Sequence, residues 1–432
     1  MGQKKTIVVA SAGAMFVFGA VGLSVWWFLN RPIVSLSHMG SGVDTEHIRS
    51  SRRIVKAKNI IGTTRRGERN RDPKIDYAGQ VMDGVGIQHI PLSDFDYEKN
   101  YPIYTTLLDV VEGWNPDKPE PPTQFKETLA HFDYGNPDEM EIALALREAE
   151  VPFKVYNVPE FDEVSDKWTT DYLSKHFDEG HGHSSVEKSK NNHFMFWTQK
   201  RNFKGREDYT PPTSIVKMTF AKWLENAKAA DRDKWPAEKE HFYFMYGTSR
   251  ATRGTTFMSE DLEHFSSKKD NFFVFRPDLN KGIQCRFGMR GIIAESHYDG
   301  GRNMIAMIRG TKRYILNPPR GCPNLGIISD KAHPSFRHSV IDWSDVEQAR
   351  AHNFDKVEAI DTIVREGEVL YVPSYWFHYP ISLEYSIQCN SRSGSPENNV
   401  GGEEIDKCLG LKDYASRNKS NKRRPRKPKK QE

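Results

Sequence analysis

The hydrophobic pattern divides the chain into unlike parts. The first apolar run, Ile7 to Leu29 (IVVASAGAMFVFGAVGLSVWWFL), carries no charge and is long enough to cross the hydrocarbon core of a bilayer as a helix. Trp26 and Trp27 close it, where amphipathic indoles favour the membrane interface. A cleaved signal peptide would have a shorter apolar region ending in small residues, so one transmembrane helix is expected at 7–29. From 150 to 395 the pattern changes to short apolar stretches separated by Gly, Pro and Asn: FKVYNV, HFYFMYG, NFFVF, NMIAMI, KRYIL, EVLYVP and YSIQCN. Many short strands punctuated by turns predict a mainly β sandwich or barrel, and no solenoid repeat interrupts them. DEMEIALALREAE, from Asp138 to Glu150, has its acids early and predicts a short helix leading into that body.

The remaining segments are polar. Residues 32–76 hold Arg49, Arg52, Arg53, Lys56, Lys58, Arg65, Arg66, Arg69, Arg71 and Lys74 with few aromatics, which predicts a basic flexible stalk. Residues 77–149 form an N-terminal extension with turn-rich pieces such as Pro119-Glu120-Pro121-Pro122. Residues 396–432 end in RNKSNKRRPRKPKKQE and read as a basic disordered tail. The net charge of +4 is too small to argue for nucleic acid, which is not expected as a partner. Four scattered cysteines, Cys285, Cys322, Cys389 and Cys408, include no C-x-x-C pair. That excludes a zinc ribbon and a disulfide-dense scaffold while allowing an isolated disulfide.

The charges flanking the apolar run orient it. Lys4 and Lys5 precede it, and Arg31 alone follows closely, so the positive-inside rule leaves the N-terminus cytosolic and the body lumenal. The sequon Asn418-Lys419-Ser420 agrees with this, whereas the basic stretch from Arg49 and the terminal pair Lys429-Lys430 point the other way. The expectation is a single-pass membrane protein of the secretory pathway (ER or Golgi).

Candidate chemistry centres on GIIAESHYDGGRNMIAMIRGTKRYILNPP, residues 291–319. His297 and Asp299 are two apart, so on a strand both side chains take one face. His378, in EVLYVPSYWFHYPISLEYSIQCN, is placed to complete a 2-His-1-carboxylate triad. Such a triad leaves three positions open on iron, enough for a bidentate oxoacid and for dioxygen. H-x-D alone is a weak signal; its neighbours strengthen it. Downstream stand Asn303, then Arg309-Gly310-Thr311-Lys312-Arg313 and Leu316-Asn317-Pro318-Pro319. His333, Pro334, Arg337, Ser339 and Asp342 follow, then Gly367 through His378, and finally Asn390.

In this ordered set the sequence resembles the Jumonji-C/cupin-like oxygenases that use Fe(II) and 2-oxoglutarate, and within them the asparaginyl hydroxylase of hypoxia-inducible factor. The resemblance covers about 150–395 and implies a double-stranded β-helix (jelly roll, cupin-like) with flanking helices behind the membrane helix. It implies metal ligation by His297, Asp299 and His378. It also matches Lys312 to the lysine that pairs with the distal carboxylate of 2-oxoglutarate, and Tyr243 to a tyrosine that donates to the same group. Asn303 and Asn390 match amides lining the cosubstrate pocket. Tyr375 and Trp376 are expected to serve packing. Ala294 departs from the pattern, standing where the relative has a threonine hydroxyl facing the cosubstrate. The implied reaction is oxidative decarboxylation of 2-oxoglutarate coupled to hydroxylation of a C–H bond, with a protein or peptide side chain as substrate. Two competing readings are a catalytically inactive cupin-like binding or scaffold module and a metal-dependent cupin that uses no oxoacid. His181, His183 and His193, in EGHGHSSVEKSKNNH, read as a solvated polar loop.

Overall fold

The computed structural model describes residues 86–88, 100–118, 124–179, 184–198, 209–248, 256–395 and 401–411. The helix expected at 7–29, the stalk at 32–76 and Asn418 all lie outside the described residues. Among the described residues no helix is long and apolar enough to cross a membrane.

Among the described residues, apart from a small parallel pair of Gly86–Gln88 with Gln124–Lys126, sixteen strands build two large sheets: β1 (Thr105–Thr106), β2 (His131–Asp133), β3 (Phe153–Tyr156), β4 (Ser184–Ser189), β5 (His193–Phe194), β6 (Ser214–Met218), β7 (His241–Gly247), β8 (Ile283–Gly288), β9 (Ile293–Ala294), β10 (His297–Tyr298), β11 (Asn303–Arg309), β12 (Thr311–Asn317), β13 (Glu358–Arg365), β14 (Val369–Val372), β15 (Phe377–Ser382) and β16 (Ser386–Arg392). The first sheet runs β2-β3-β14-β11-β16-β8-β7-β4-β6. The second runs β1-β13-β12-β15-β9-β5, with β10 also paired to β15. From β8 onward the chain alternates between sheets: β8, β11, β14 and β16 go to the first, and β9, β10, β12, β13 and β15 to the second. This is the winding order of a jelly roll. The fold is mainly β and cupin-like, with helices flanking the sheets.

The central strands carry long apolar stretches because both of their faces are covered. Every residue of β12 and β14, and all of β11 except Arg309, is buried. The turn from β11 to β12 is made by Gly310 at φ +69°; a Cβ there would sit 2.2 Å from the carbonyl oxygen of Tyr385, so glycine is required. The predicted helix forms as α1, Pro137–Glu148, with the Asn136 side chain accepting from the Asp138 amide and Pro137 in its first turn, both favoured there. It buries Met140, Ala143 and Leu146 against the first sheet.

Three segments depart from the sequence reading. NFFVF, expected as a strand, is a turn: the Asn271 side-chain oxygen accepts from the amides of Phe273 and Val274, and Arg147 donates to the carbonyls of Asn271 and Phe272. A side chain that bonds its own backbone competes with a strand ladder, while Phe272 and Phe273 still bury. The extension at 77–149 supplies edge strands β1 and β2, so position 150 is no break in the sheets. The start of the stretch read as a disordered tail is helical, α2 (Gly402–Cys408), because Ile405 and Leu409 pack into the core around Trp343 and Phe377. Its Cys408 is bonded to Cys322, and Cys285 to Cys389, a directly opposed pair on β8 and β16. All four cysteines are thus paired, where the spacing left an isolated disulfide possible.

Candidate metal centre

His297 on β10 and His378 on β15 are direct antiparallel partners, with ring centroids 4.2 Å apart. Asp299 follows β10 immediately, and its carbonyl accepts from the Tyr375 amide at 2.8 Å, a contact made while Tyr375 holds φ +67°. One potential ligand atom from each of His297, Asp299 and His378 lies within 4.8 Å of the others. His297 Nδ1 faces the Glu295 carbonyl at 2.8 Å and His378 Nδ1 the Trp376 carbonyl at 3.2 Å. A carbonyl only accepts, so each Nδ1 is the protonated nitrogen and each Nε2 keeps a lone pair for a metal. His338 stacks on His297 at 4.8 Å and 17°.

The electrostatics suit the same purpose. Burial, reinforced by the neighbouring imidazoles of His378 and His338, holds His297 well below the usual histidine range; burial also lowers His378. Both are neutral and available as ligands. Burial alone would raise Asp299, but Arg392 and Arg337 outweigh it and hold the carboxyl well below its ordinary range. Arg337 approaches Asp299 Oδ1 at 3.4 Å and Arg392 approaches Oδ2 at 3.2 Å. Two neutral imidazoles and an obligate carboxylate, with the outward nitrogens already engaged, make a donor set that fits a divalent first-row metal with open positions.

Behind the triad the expected cosubstrate residues also converge. Lys312 on β12 is fully enclosed, and its ammonium lies 3.5 Å from the Tyr243 hydroxyl. Burial pushes Lys312 down to about 7, helped by the nearby Arg286. Burial pushes Tyr243 up to about 12, so its hydroxyl stays a donor. Asn390 donates to Asn303 at 2.9 Å across the β16–β11 pair. Tyr314, on the same face of β12 as Lys312, donates to Gln388 at 2.5 Å. Ala294 ends β9 beside Phe194 of β5 and offers no hydroxyl. Tyr375 and Trp376 are buried packing residues.

Arg286, Arg392 and His338 carry no motif of their own and were not read as functional. Arg337 was read only as part of the matched pattern. Strand register brings in Arg286 and Arg392, and one loop brings in Arg337, at φ +81°, and His338, bridged to His297. His193 belongs to strand β5 rather than to a solvated loop; His181 and His183 lie outside the described residues. The His193 ring is gripped by Asp117 at 2.8 Å and by Glu295 at 2.5 Å. Burial would lower it, but the two carboxylates prevail and raise it to about 10. A cavity of about 280 Å³ opens here, lined among others by Asp117, His193, Glu295 and Ser339.

A jelly roll with a histidine-aspartate-histidine cluster across its second sheet, able to hold a metal ion, is the arrangement of a cupin-like fold. The sequence profile of the cupin-like domain matches residues 141–391, more than half of the chain, and the protein belongs to that family. It is 22% identical over 176 residues to tRNA wybutosine-synthesizing protein 5 of Danio rerio, covering 40% of this chain and 52% of that protein. It is 28% identical over 123 residues to a lysine-specific demethylase of Arabidopsis thaliana, covering 27% of each. It is 24% identical over 283 residues to a bifunctional arginine demethylase and lysyl-hydroxylase of Caenorhabditis elegans, covering 63% of each. The matched stretch thus spans about half of the zebrafish protein and less than two thirds of the other two. Relatives with these names support an enzyme family of the oxygenase type.

Proposed function

We propose that the chain is an Fe(II)- and 2-oxoglutarate-dependent oxygenase that hydroxylates a protein side chain. The observation that carries this is the cluster of His297, Asp299 and His378, with both Nε2 lone pairs free and with Lys312 and Tyr243 paired behind it. With metal, oxoacid and dioxygen bound, the chemistry supplied is oxidation of 2-oxoglutarate to succinate and CO₂, one oxygen atom entering succinate and the other a substrate C–H bond. The residues of the chain hold and orient the reactants. His297, Asp299 and His378 seat the metal, while Arg337 and Arg392 keep Asp299 ionised. Lys312 and Tyr243 meet the distal carboxylate, and the Asn303–Asn390 pair lines the space between. A protein substrate follows the names of the Arabidopsis and Caenorhabditis relatives, which act on lysine or arginine.

We place the body in the lumen of the secretory pathway, tethered by 7–29. The pairing of all four cysteines supports this, since structural disulfides persist in oxidising compartments. A second reading, an inactive binding module, is favoured only by Ala294, which removes one donor to the oxoacid. The two part on turnover. The full chain with Fe(II), ascorbate and 2-oxoglutarate is expected to release succinate, and His297→Ala and Asp299→Ala to reduce that release to background. Release that survives both substitutions, or none from the wild type with any candidate peptide, sinks the oxygenase reading.

A further inference from the structure

Arg286 sits on β8, directly opposite Gln388 of β16 and Met245 of β7. Two residues from Met245 on the same strand face is Tyr243, and Gln388 accepts from Tyr314, two residues beyond Lys312 on β12. Arg286 therefore enters from the first sheet the interior space that Lys312 enters from the second. Protein packs around it closely enough that burial opposes its charge, yet its side chain keeps accessible surface, as a group lining an internal cleft does.

Its charge is unmatched there. Among the described residues Arg286 makes one long hydrogen bond, 3.4 Å, to the carbonyl of Cys285. The charges that face it are Lys312 and Arg392, with Glu187 and Asp299 the nearby carboxylates. Glu187 is occupied by the Thr213 hydroxyl at 2.5 Å, and Asp299 is committed to Arg392 and Arg337. Lys312 is enclosed and Arg286 half-buried, the charge of Arg286 disfavours that of Lys312, and burial of an unpaired charge is costly. An anionic ligand between them would remove both penalties.

We propose that Arg286 binds the distal carboxylate of 2-oxoglutarate together with Lys312, its planar fork giving two parallel N–H···O contacts where Lys312 gives a point charge. This rests on the oxygenase reading above and makes Arg286 the specificity residue for a dicarboxylic oxoacid. It also replaces the donor that Ala294 lacks with a stronger, permanently charged one.

The test is direct binding to the full chain under anaerobic conditions with Mn(II) in place of iron, by titration calorimetry. Two ligands are compared: 2-oxoglutarate, and 2-oxopentanoate, which has a methyl group where the distal carboxylate would be. Arg286→Leu is expected to weaken 2-oxoglutarate by about 10- to 100-fold, the usual worth of charge-assisted hydrogen bonds, and to leave 2-oxopentanoate nearly unchanged. Equal weakening of both ligands would assign Arg286 a structural role and overturn the proposal, as would undiminished binding of 2-oxoglutarate. Should Arg286→Leu fail to fold, Arg286→Lys keeps the charge without the fork. It is then expected to lose a smaller factor, again for the dicarboxylate only, and no loss overturns the proposal. If the wild type itself does not bind 2-oxoglutarate with Mn(II), the oxygenase reading falls and this proposal with it.

Discussion

Lys312 shows how one residue sets a pH dependence. Burial holds it near 7, with Arg286 reinforcing the shift and Tyr243 the nearest hydroxyl, whereas an unfolded lysine titrates near 10.4. Below pH 7 the side chain is charged in both states and the folded protein bears the full cost of an enclosed ammonium. Between about 7 and 10.4 the unfolded chain binds more protons, so stability rises with pH across that window. Lys312→Met is therefore expected to stabilise the ligand-free chain at pH 6.5, with the advantage shrinking towards pH 9.5 in urea unfolding; a constant difference would contradict the shift. At this scale the triad was legible because H-x-D and a later histidine stand in a recognisable order. Arg392 was not, since it reaches Asp299 through strand pairing, and Arg337, though part of the matched set, gave no sign of its place beside Asp299, which a left-handed loop position sets.

At the scale of elements, the β11–β12 hairpin is the hinge of the site, because β12 carries Lys312 and pairs with the strand that carries His378. Its turn depends on Gly310, where the left-handed backbone and the Tyr385 carbonyl exclude a side chain. Gly310→Ala is expected to destabilise the fold by about 2 kcal/mol or more, from backbone strain and the clash together, read as a lower urea midpoint at unchanged slope. The G-x-K-R pattern was visible in the chain through the family resemblance, and the backbone of Gly310 gives its glycine a physical reason. The strands NMIAMI, KRYIL, EVLYVP and YSIQCN were equally legible, since strands buried on both faces read as apolar runs. NFFVF has the same composition and fails only because Asn271 closes a turn with its own side chain, a choice that hydrophobicity does not encode. Edge strands β1 and β2 were missed because two or three residues are too few to show an alternation.

For the whole molecule, the proposed tethering of the body by 7–29 in the lumen has a direct test. If the body is lumenal, Asn418 is exposed to glycosylation machinery, and expression of the full chain in eukaryotic cells is expected to yield a species whose gel mobility shifts after glycosidase treatment. Asn418→Gln should abolish the shift; an unmodified wild type places the body on the cytosolic side.

The two disulfides have a topological consequence for such a protein. The bridge from Cys285 to Cys389 closes a covalent ring that contains His297, Asp299, Lys312 and His378, and the bridge from Cys322 to Cys408 closes a second ring overlapping it. One backbone cut anywhere inside either ring leaves the pieces joined, and a cut near the exposed Val340 leaves them joined twice. The halves of the triad therefore stay on a single covalent body after a nick that would part them in an unbridged chain.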